Sequence, residues 1–178
     1  LQKDVKKYVQ NWIKEGLTDW DITRDISWGI PIPDGGANQK VFYGWFDNHL
    51  AYISSTIKFL NDNGKDGKKF WNESDIYHFI GKDIVYHHYL FLPAMRLGIE
   101  EEYKLPDYIP TRGHLTLQSK KISKSRNWYI GLKDFLAIFP ADYLRFYLIS
   151  INPYSQDDPN FNWGEFATKI NSELIGNL

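Results

Sequence analysis

The chain of 178 residues contains no cysteine. Disulfides and thiolate zinc sites are excluded with it, and a reducing compartment such as the cytoplasm is permitted. Long apolar stretches are also missing: charge interrupts every hydrophobic run well short of the ~20 residues that cross a bilayer, so no membrane segment is expected. Neither sign of charge dominates, since 21 Lys and Arg face 22 Asp and Glu, a formal net charge of −1. With a sequence pI near 6.6, the chain cannot coat nucleic acid by overall basicity, and any phosphate binding must be concentrated locally. Internal repeats and low-complexity segments are absent. The first residue is Leu1 and no charged-then-apolar leader follows it, so an internal piece of a longer polypeptide is expected. What the sequence has in excess is aromatic residues, 17% of the chain with seven Trp, which implies rigid ring clusters or stacking platforms.

Leu1, Val5, Tyr8, Val9, Trp12 and Ile13 fall at helical spacing, and Gly16 stands where that helix would end. The run from Trp28 to Pro33 carries two prolines and reads as extended. Val41 to Phe46 is β-prone, bounded by the loop Asp34-Gly35-Gly36 and by Asp47, after which Leu50, Ile53, Ile57 and Leu60 recur helically. Past a polar loop from Asn61 to Lys69, an apolar run from Ile76 to Ile80 stops at Gly81-Lys82-Asp83. Ile84, His88, Phe91 and Met95 then share a helical face, with Pro93 expected to kink it. A third extended stretch, Thr111 to Leu117, leads into a basic loop, and helices are predicted over Leu132 to Phe139 and Ala141 to Ile149. Strands alternating with helices predict a parallel sheet in a doubly wound α/β domain. Asn152-Pro153 ends that domain, with a boundary near 153 to 164, and Phe166, Ile170 and Leu174 begin a further amphipathic helix. Asp142 and Arg145 are spaced for a helical ion pair.

Lys120, Lys121, Lys124 and Arg126 lie within seven residues, interleaved with Ser119, Ser123, Ser125 and Asn127. Two lysines separated by Ile-Ser can meet a polyphosphate as point charges while hydroxyls and loop N–H groups supply hydrogen bonds. On spacing alone a solvated basic loop is the more common outcome for such a charge run. Lys121-Ile122-Ser123-Lys124-Ser125, however, closely resembles the Lys-Met-Ser-Lys-Ser signature of class I aminoacyl-tRNA synthetases. Further blocks stand in the order found in methionyl-tRNA synthetases: Trp20-Asp21-Ile22-Thr23-Arg24-Asp25 with Trp28-Gly29-Ile30-Pro31-Ile32-Pro33, Tyr43-Gly44-Trp45-Phe46-Asp47, and His78-Phe79-Ile80-Gly81-Lys82-Asp83. Asp142 to Leu148 and Phe161-Asn162-Trp163-Gly164-Glu165-Phe166 resemble the blocks that lead into that family's anticodon-binding helical bundle. The resemblance covers essentially the whole chain.

It implies an incomplete class I synthetase nucleotide-binding, Rossmann-like parallel sheet with flanking helices, followed by the start of an α-helical bundle. Residues 1–33 would be a helix and extended connector, 34–152 the second half of the catalytic domain, and 153–178 the connector and first bundle helix. The implied chemistry is methionine–tRNA ligase chemistry: ATP with Mg2+ activates an amino acid as its adenylate, which then passes to tRNA. Lys121 and Lys124 would stabilise charge on the transferred phosphates. Gly81 and Asp83 would approach the ribose, with a helix N-cap as the alternative role for Asp83. Arg112, Gly113, Leu115 and Leu117 would lie near the adenine, and Ser123 and Ser125 in the phosphate loop. Ile122 would anchor that loop to the core. Trp45, Tyr52, Ile84 and His88 would line a pocket for the methionine side chain, where aromatic faces suit a polarizable thioether.

Asn48-His49 stands where the family usually has Ala-Pro, Leu92 where an aromatic commonly closes the pocket, and Arg112 where a histidine precedes the glycine. These changes would enlarge and polarise the pocket. His78, His87 and His88 invite a metal reading, but adjacent helical histidines point to different faces and no carboxylate stands at zinc-like spacing. The family's His-Ile-Gly-His segment and its zinc-bearing insertion do not occur in this sequence. A piece of a longer enzyme, inactive alone, is therefore expected, with a sheet edge left open to dimerisation. A non-catalytic module that binds tRNA, nucleotide or a protein partner is the alternative; an unrelated nucleotidyltransferase leaves the Trp-Gly-Ile-Pro-Ile-Pro and Asn-Trp-Gly-Glu-Phe blocks unaccounted for.

Overall fold

The computed structural model describes residues 2–33, 40–100 and 102–177; the expected loop Asp34-Gly35-Gly36 and Leu1 lie outside them. The chain divides into two compact units, one formed by Lys3–His78 with Ile84–Ile109 and the other by Phe79–Asp83 with Pro110–Leu178 and Gln2.

In the first unit, α1 (Lys3–Glu15) is the amphipathic helix the spacing predicts, and it ends before Gly16. Of the Trp-Gly-Ile-Pro-Ile-Pro run only the middle is extended: Ile30 carbonyl accepts from the Phe42 amide at 2.9 Å and Pro31 bridges Val41 antiparallel, while Trp28 and Gly29 lie in a bend and Pro33 in a turn. Strand β1 (Thr23–Arg24) pairs antiparallel with β2 (Val41–Phe42). The β-prone run to Phe46 stops early, because α2 (Gly44–Asp47) starts directly after Tyr43 and continues through a 3-10 turn (Asn48–Leu50) into α3 (Ala51–Asp62). Helix α4 (Gly67–Glu73) is capped by Asp66, whose carboxylate accepts from the Lys69 amide. Ile53, Trp71 and Ile76 form the core of this layer. Near Pro93, where a kink is expected, the helix changes type. A π-helical turn over His87–Phe91, closed by the Leu92 amide donating to the His87 carbonyl, runs directly into α5 (Leu92–Leu97), which carries Pro93 in its first turn.

In the second unit, β3 (Ile80–Gly81) pairs parallel with β4 (Thr111–Arg112). Strand β5 (Thr116–Leu117) is the middle of a three-stranded sheet, antiparallel to β6 (Lys120–Lys121) and parallel to β7 (Asn160–Phe161). Alternation of strands and helices thus finds its parallel pairs at β3–β4 and β5–β7, but a uniformly parallel sheet misses the antiparallel β5–β6 hairpin. The predicted helices are α6 (Leu132–Ile138), α7 (Ala141–Ile151) and α8 (Trp163–Lys169), the last running into a π-helical turn over Ile170–Ile175. Asn162 caps α8 by accepting from the Glu165 amide. Leu117, Phe135, Tyr147, Phe161, Phe166 and Ile170 form the core. The buried Tyr147 hydroxyl donates to Glu165 and receives the Asn162 amide at 3.1 Å, so this phenol is no polar defect. Among the described residues no helix is long and apolar enough to cross a membrane.

Candidate functional site

The Lys-Ile-Ser-Lys-Ser segment grows out of a tight hairpin. Gln118 and Ser119, the two residues between β5 and β6, have φ of +49° and +61°, the left-handed pair that a two-residue turn between twisted strands requires. Neither residue favours that region, so β7 holds them: the Asn160 side chain accepts from the Ser119 amide at 2.6 Å, and Gln118 accepts from the Asn162 side chain. Lys121 closes the hairpin opposite Thr116. Beyond it, Ser123 and Trp128 exchange both backbone hydrogen bonds at 2.9 Å, pinching off a second turn that contains Lys124, Ser125 and Arg126. The Trp128 indole donates to the Leu117 carbonyl at 3.0 Å and ties this turn to the central strand. Ile122 lines an apolar cleft of about 140 Å³ with Leu115, Leu117, Tyr129 and Phe161, but it is itself exposed and outside the core cluster, so the packing against the core that was expected of Ile122 is made by Trp128 instead. Lys121 and Lys124 are exposed, while the Ser123 and Ser125 hydroxyls are 3.1 Å apart. The segment therefore presents two ammonium groups and two hydroxyls on a frame with fixed ends.

Gly81, Asp83 and Gly113 come together in the same unit. The Asp83 carboxylate folds back over β3 and meets His114 Nε2 at 3.1 Å. A Cβ on Gly81 would stand 2.6 Å from that carboxylate, so glycine is what lets it approach. Gly113 has the same role toward another element, since a Cβ there would collide with the Asp157 carbonyl. The adjoining Asp158 accepts from the His114 amide and from Lys82 Nζ at 2.7 Å; Lys82 first, then the His114 N–H, hold its carboxyl below the usual range. Asp83 lies within a 3-10 turn (Lys82–Ile84). Arg112 lays its guanidinium over the Tyr154 ring, 4.4 Å from the centroid. Sequence reasoning passed over His114, the residue that orients Asp83; its position directly after Gly113 was the available signal.

The residues expected to line an amino-acid pocket belong to the first unit. Tyr52 on α3 meets His88 on the π-helical turn, Oη to Nε2, at 3.1 Å. Because the Ile84 carbonyl, 3.0 Å from His88 Nδ1, can only accept, the proton resides on Nδ1 and Nε2 accepts from the Tyr52 hydroxyl. Burial keeps this imidazole neutral by lowering its pKa. His49 packs against it with ring centroids 5.3 Å apart. Trp45 stacks on His87 at 4.6 Å and 13°, and Trp20 meets both His87 and Phe91. The π-helical register is what turns His87 and His88 toward these partners from consecutive positions. Burial, then the neighbouring His88 and His87, push His49 down to about 4 against a smaller opposing effect of the Trp45 carbonyl. His78 is likewise lowered to about 4 by burial, His88 and Arg96. Leu92 is buried and Ile84 half-buried. Asn48 departs from the group: it is exposed and lines another cleft, about 570 Å³, with Ile26, Trp28 and Asp47. Sequence reasoning also left out Trp20 and His87, although His87 stacks directly on Trp45. Among the described residues no group of three or more His, Cys, Asp or Glu stands where it could hold a metal ion.

The second unit of this mixed α/β chain thus presents two exposed lysines and two hydroxyls on a pinned hairpin and holds a carboxylate against Gly81 and His114. From residue 1 to 178 the chain matches the family model described as tRNA synthetases class I (M), and it belongs to that family. It is 46% identical over 180 residues to a methionine–tRNA ligase of Methanopyrus kandleri, covering 100% of this chain and 26% of the relative. To the methionine–tRNA ligase of Pyrococcus horikoshii it is 44% identical over 191 residues, 98% and 26% of the two chains. The chain thus spans about a quarter of the length of these relatives. Its fold superposes on Mycobacterium tuberculosis methionyl-tRNA synthetase in complex with methionyl-adenylate with a TM-score of 0.80 at 24% identity, over 100% of this chain and 34% of that one.

Proposed function

We propose that this chain is the part of a methionine–tRNA ligase that holds the phosphate-stabilising loop and the amino-acid pocket, within a longer protein that activates methionine with ATP and transfers it to tRNA. The observation that carries the reading is the Lys-Ile-Ser-Lys-Ser hairpin, whose two exposed lysines are framed by the Gln118-Ser119 turn and the Ser123–Trp128 bridge. Attack of the methionine carboxylate on the α-phosphate of ATP places negative charge on departing pyrophosphate. Lys121 and Lys124 offset it, with Ser123 and Ser125 as hydrogen-bonding groups. Asp83, oriented by His114 and admitted by Gly81, accepts from the ribose hydroxyls, while Arg112, Gly113 and Leu115 flank the adenine. Trp45, Asn48, His49, Tyr52, Ile84, His88 and Leu92 hold the side chain. Magnesium would arrive on the phosphates of ATP; no protein cage for it stands among the described residues.

The small sheets of the second unit are then portions of a Rossmann-like parallel sheet, and α8 is the first helix of the anticodon-binding bundle. The assignments 1–33, 34–152 and 153–178 follow that division. A cytoplasmic site of action suits the substrates and a cysteine-free chain. The two-residue edge strands β6 and β7 are the places where a second copy would add, which sedimentation would detect.

Amino-acid-dependent exchange of pyrophosphate with ATP, measured on the full-length protein, tests this. Methionine is expected to support exchange, and Lys124→Ala to lower kcat by about 100- to 1,000-fold. Lys124→Ala without effect, or no exchange at all, would overturn the catalytic reading and leave a binding module.

A further inference from the structure

Arg96, on the last turn of α5, is 5% exposed. Its guanidinium faces two rings, 5.9 Å from the Trp71 centroid and 5.4 Å from that of Tyr103. Ring faces attract a cation, but they complete no N–H bonds. Neither Nε nor Nη2 has a hydrogen-bond partner, and no carboxylate among the described residues opposes the burial that lowers the pKa of this group. A guanidinium stays protonated even so, and its charge acts on His78, which burial, His88 and then Arg96 hold near 4. A buried charge left unpaired is costly. Packing gives no reason for one, since an apolar side chain of similar length fills the same space without desolvating a cation. The two unpartnered donors, Nε and Nη2, lie along one edge of the guanidinium, spaced to meet both oxygens of a single carboxylate.

Arg96 also lines a cleft of about 480 Å³ with Leu97, Ile99, Glu102, Tyr103 and Lys104, a size that suits a small molecule. We propose that this cleft binds a small monocarboxylic acid with an apolar body, its carboxylate taken side-on by Arg96. The site stands apart from the amino-acid pocket and does not depend on that reading. The other polar groups of its wall are committed: Lys104 Nζ meets Asp107 and the Ser74 carbonyl, each at 2.8 Å, and the Asn72 side chain bonds the Lys104 amide and the Glu102 carbonyl. With Lys104 neutralised by Asp107 and an exposed Glu102 on the rim, the wall offers one unbalanced positive charge, which suits a monoanion and disfavours a phosphate dianion. Leu97 and Ile99, both exposed, give the apolar body of the acid a surface to cover.

The test is calorimetric titration of the full-length protein with benzoate and, separately, with benzamide, which keeps the ring and shape but carries no charge. Benzoate is expected to bind with a Kd of about 1 mM or below, and benzamide at least about tenfold more weakly. Arg96→Lys, which keeps the charge and the stem but loses the fork, weakens benzoate by about tenfold or more. Benzoate that fails to bind at roughly ten times that concentration, or benzamide that binds as well, overturns the proposal without any variant having to fold. Binding of benzoate unchanged in Arg96→Lys places the acid elsewhere and overturns it too. None of these outcomes bears on methionine-dependent pyrophosphate exchange, which tests the proposed function separately.

Discussion

The two compact units carry their polar residues under opposite conditions. In the unit built on Ile53, Trp71 and Ile76, the imidazoles of His49, His78 and His88 are buried among rings and kept neutral by burial. In the unit built on Leu117, Tyr147 and Phe166, Lys121 and Lys124 stand in water on a hairpin, and nearby carboxylates are paired with Lys82 and His114. Under the proposed function the contrast suits two tasks. A pocket for an apolar side chain must be dry, and a dry wall tolerates a titratable group only in its neutral form. A loop proposed to meet triphosphate needs its ammonium groups within reach of a ligand, and exposure on the hairpin supplies that. The same chain thus uses burial to remove charge in one place and backbone geometry to fix it in another.

The largest effect on stability is expected where backbone meets backbone. Gly113→Ala would drive a methyl group into the Asp157 carbonyl and crowd Asp158, so the strand carrying His114 must shift. Overpacking of this kind costs roughly 1–3 kcal/mol. Thermal melting should register it as a clear fall in Tm, and an unchanged Tm would mean that the approach at this turn is looser than described. Next is Tyr52→Phe, which removes one hydroxyl and strands His88 Nε2 inside the ring cluster. An unsatisfied buried acceptor costs about 1–3 kcal/mol. The expected signature is a lower Tm together with a raised KM for the amino acid, whereas Lys124→Ala acts on kcat with the Tm preserved. If both variants changed the same parameter, the division of labour between the units would fail.

Acid separates the units in another way. His49 and His78 have folded pKa values near 4, depressed from 6.5. Between those values the unfolded chain takes up protons that the folded chain refuses, so their contribution is complete above pH 6.5 and is lost as pH falls toward 4. Asp107 and Asp158 are held below the ordinary carboxylate range by Lys104 and Lys82 respectively. Their contribution is lost only at still lower pH. The Tm is therefore expected to drop by about 5 °C or more between pH 7 and pH 4.5, and the combined His49→Phe and His78→Phe variant should flatten that slope. A slope unchanged in the double variant would place the titrating groups elsewhere.

How much of this was legible in the sequence follows from the range of the forces involved. Helix periods at α1, α3 and α7 could be read because local spacing decides which face is buried. The extended stretch around Ile30 to Ile32 followed from proline geometry, while the bend at Trp28 and Gly29 did not. The hairpin beneath the lysines could not be read: Gln118-Ser119 lacks the Asn-Gly or Asp-Gly signal of a left-handed two-residue turn, and Asn160 and Asn162, some forty residues away, hold it. Likewise, adjacent histidines at 87 and 88 argue for different helix faces. The π-helical turn, which spacing rules built on 3.6 residues cannot anticipate, brings His49 within 5.3 Å of both rings. The motif residues were found by resemblance; His114 and Trp128, which position them, were found only through the fold.

The smallest effect belongs to the pair that was easiest to foresee. Arg145 and Asp142 form the expected i,i+3 bridge at 2.8 Å on α7, and their side chains are 72% and 82% exposed. Water and salt screen such a pair, and holding two long side chains in one geometry opposes what attraction remains. Arg145→Ala is therefore expected to leave the Tm within experimental scatter at physiological ionic strength. The comparison with Lys82 and Asp158 makes the point sharper. That pair, at 2.7 Å, has side chains only 34% and 39% exposed, and its carboxylate also receives the His114 amide, so Lys82→Ala should lower the Tm measurably. Equal responses to the two substitutions would show that proximity of charge, rather than its shielding from water and its shared hydrogen bonds, governs these contacts.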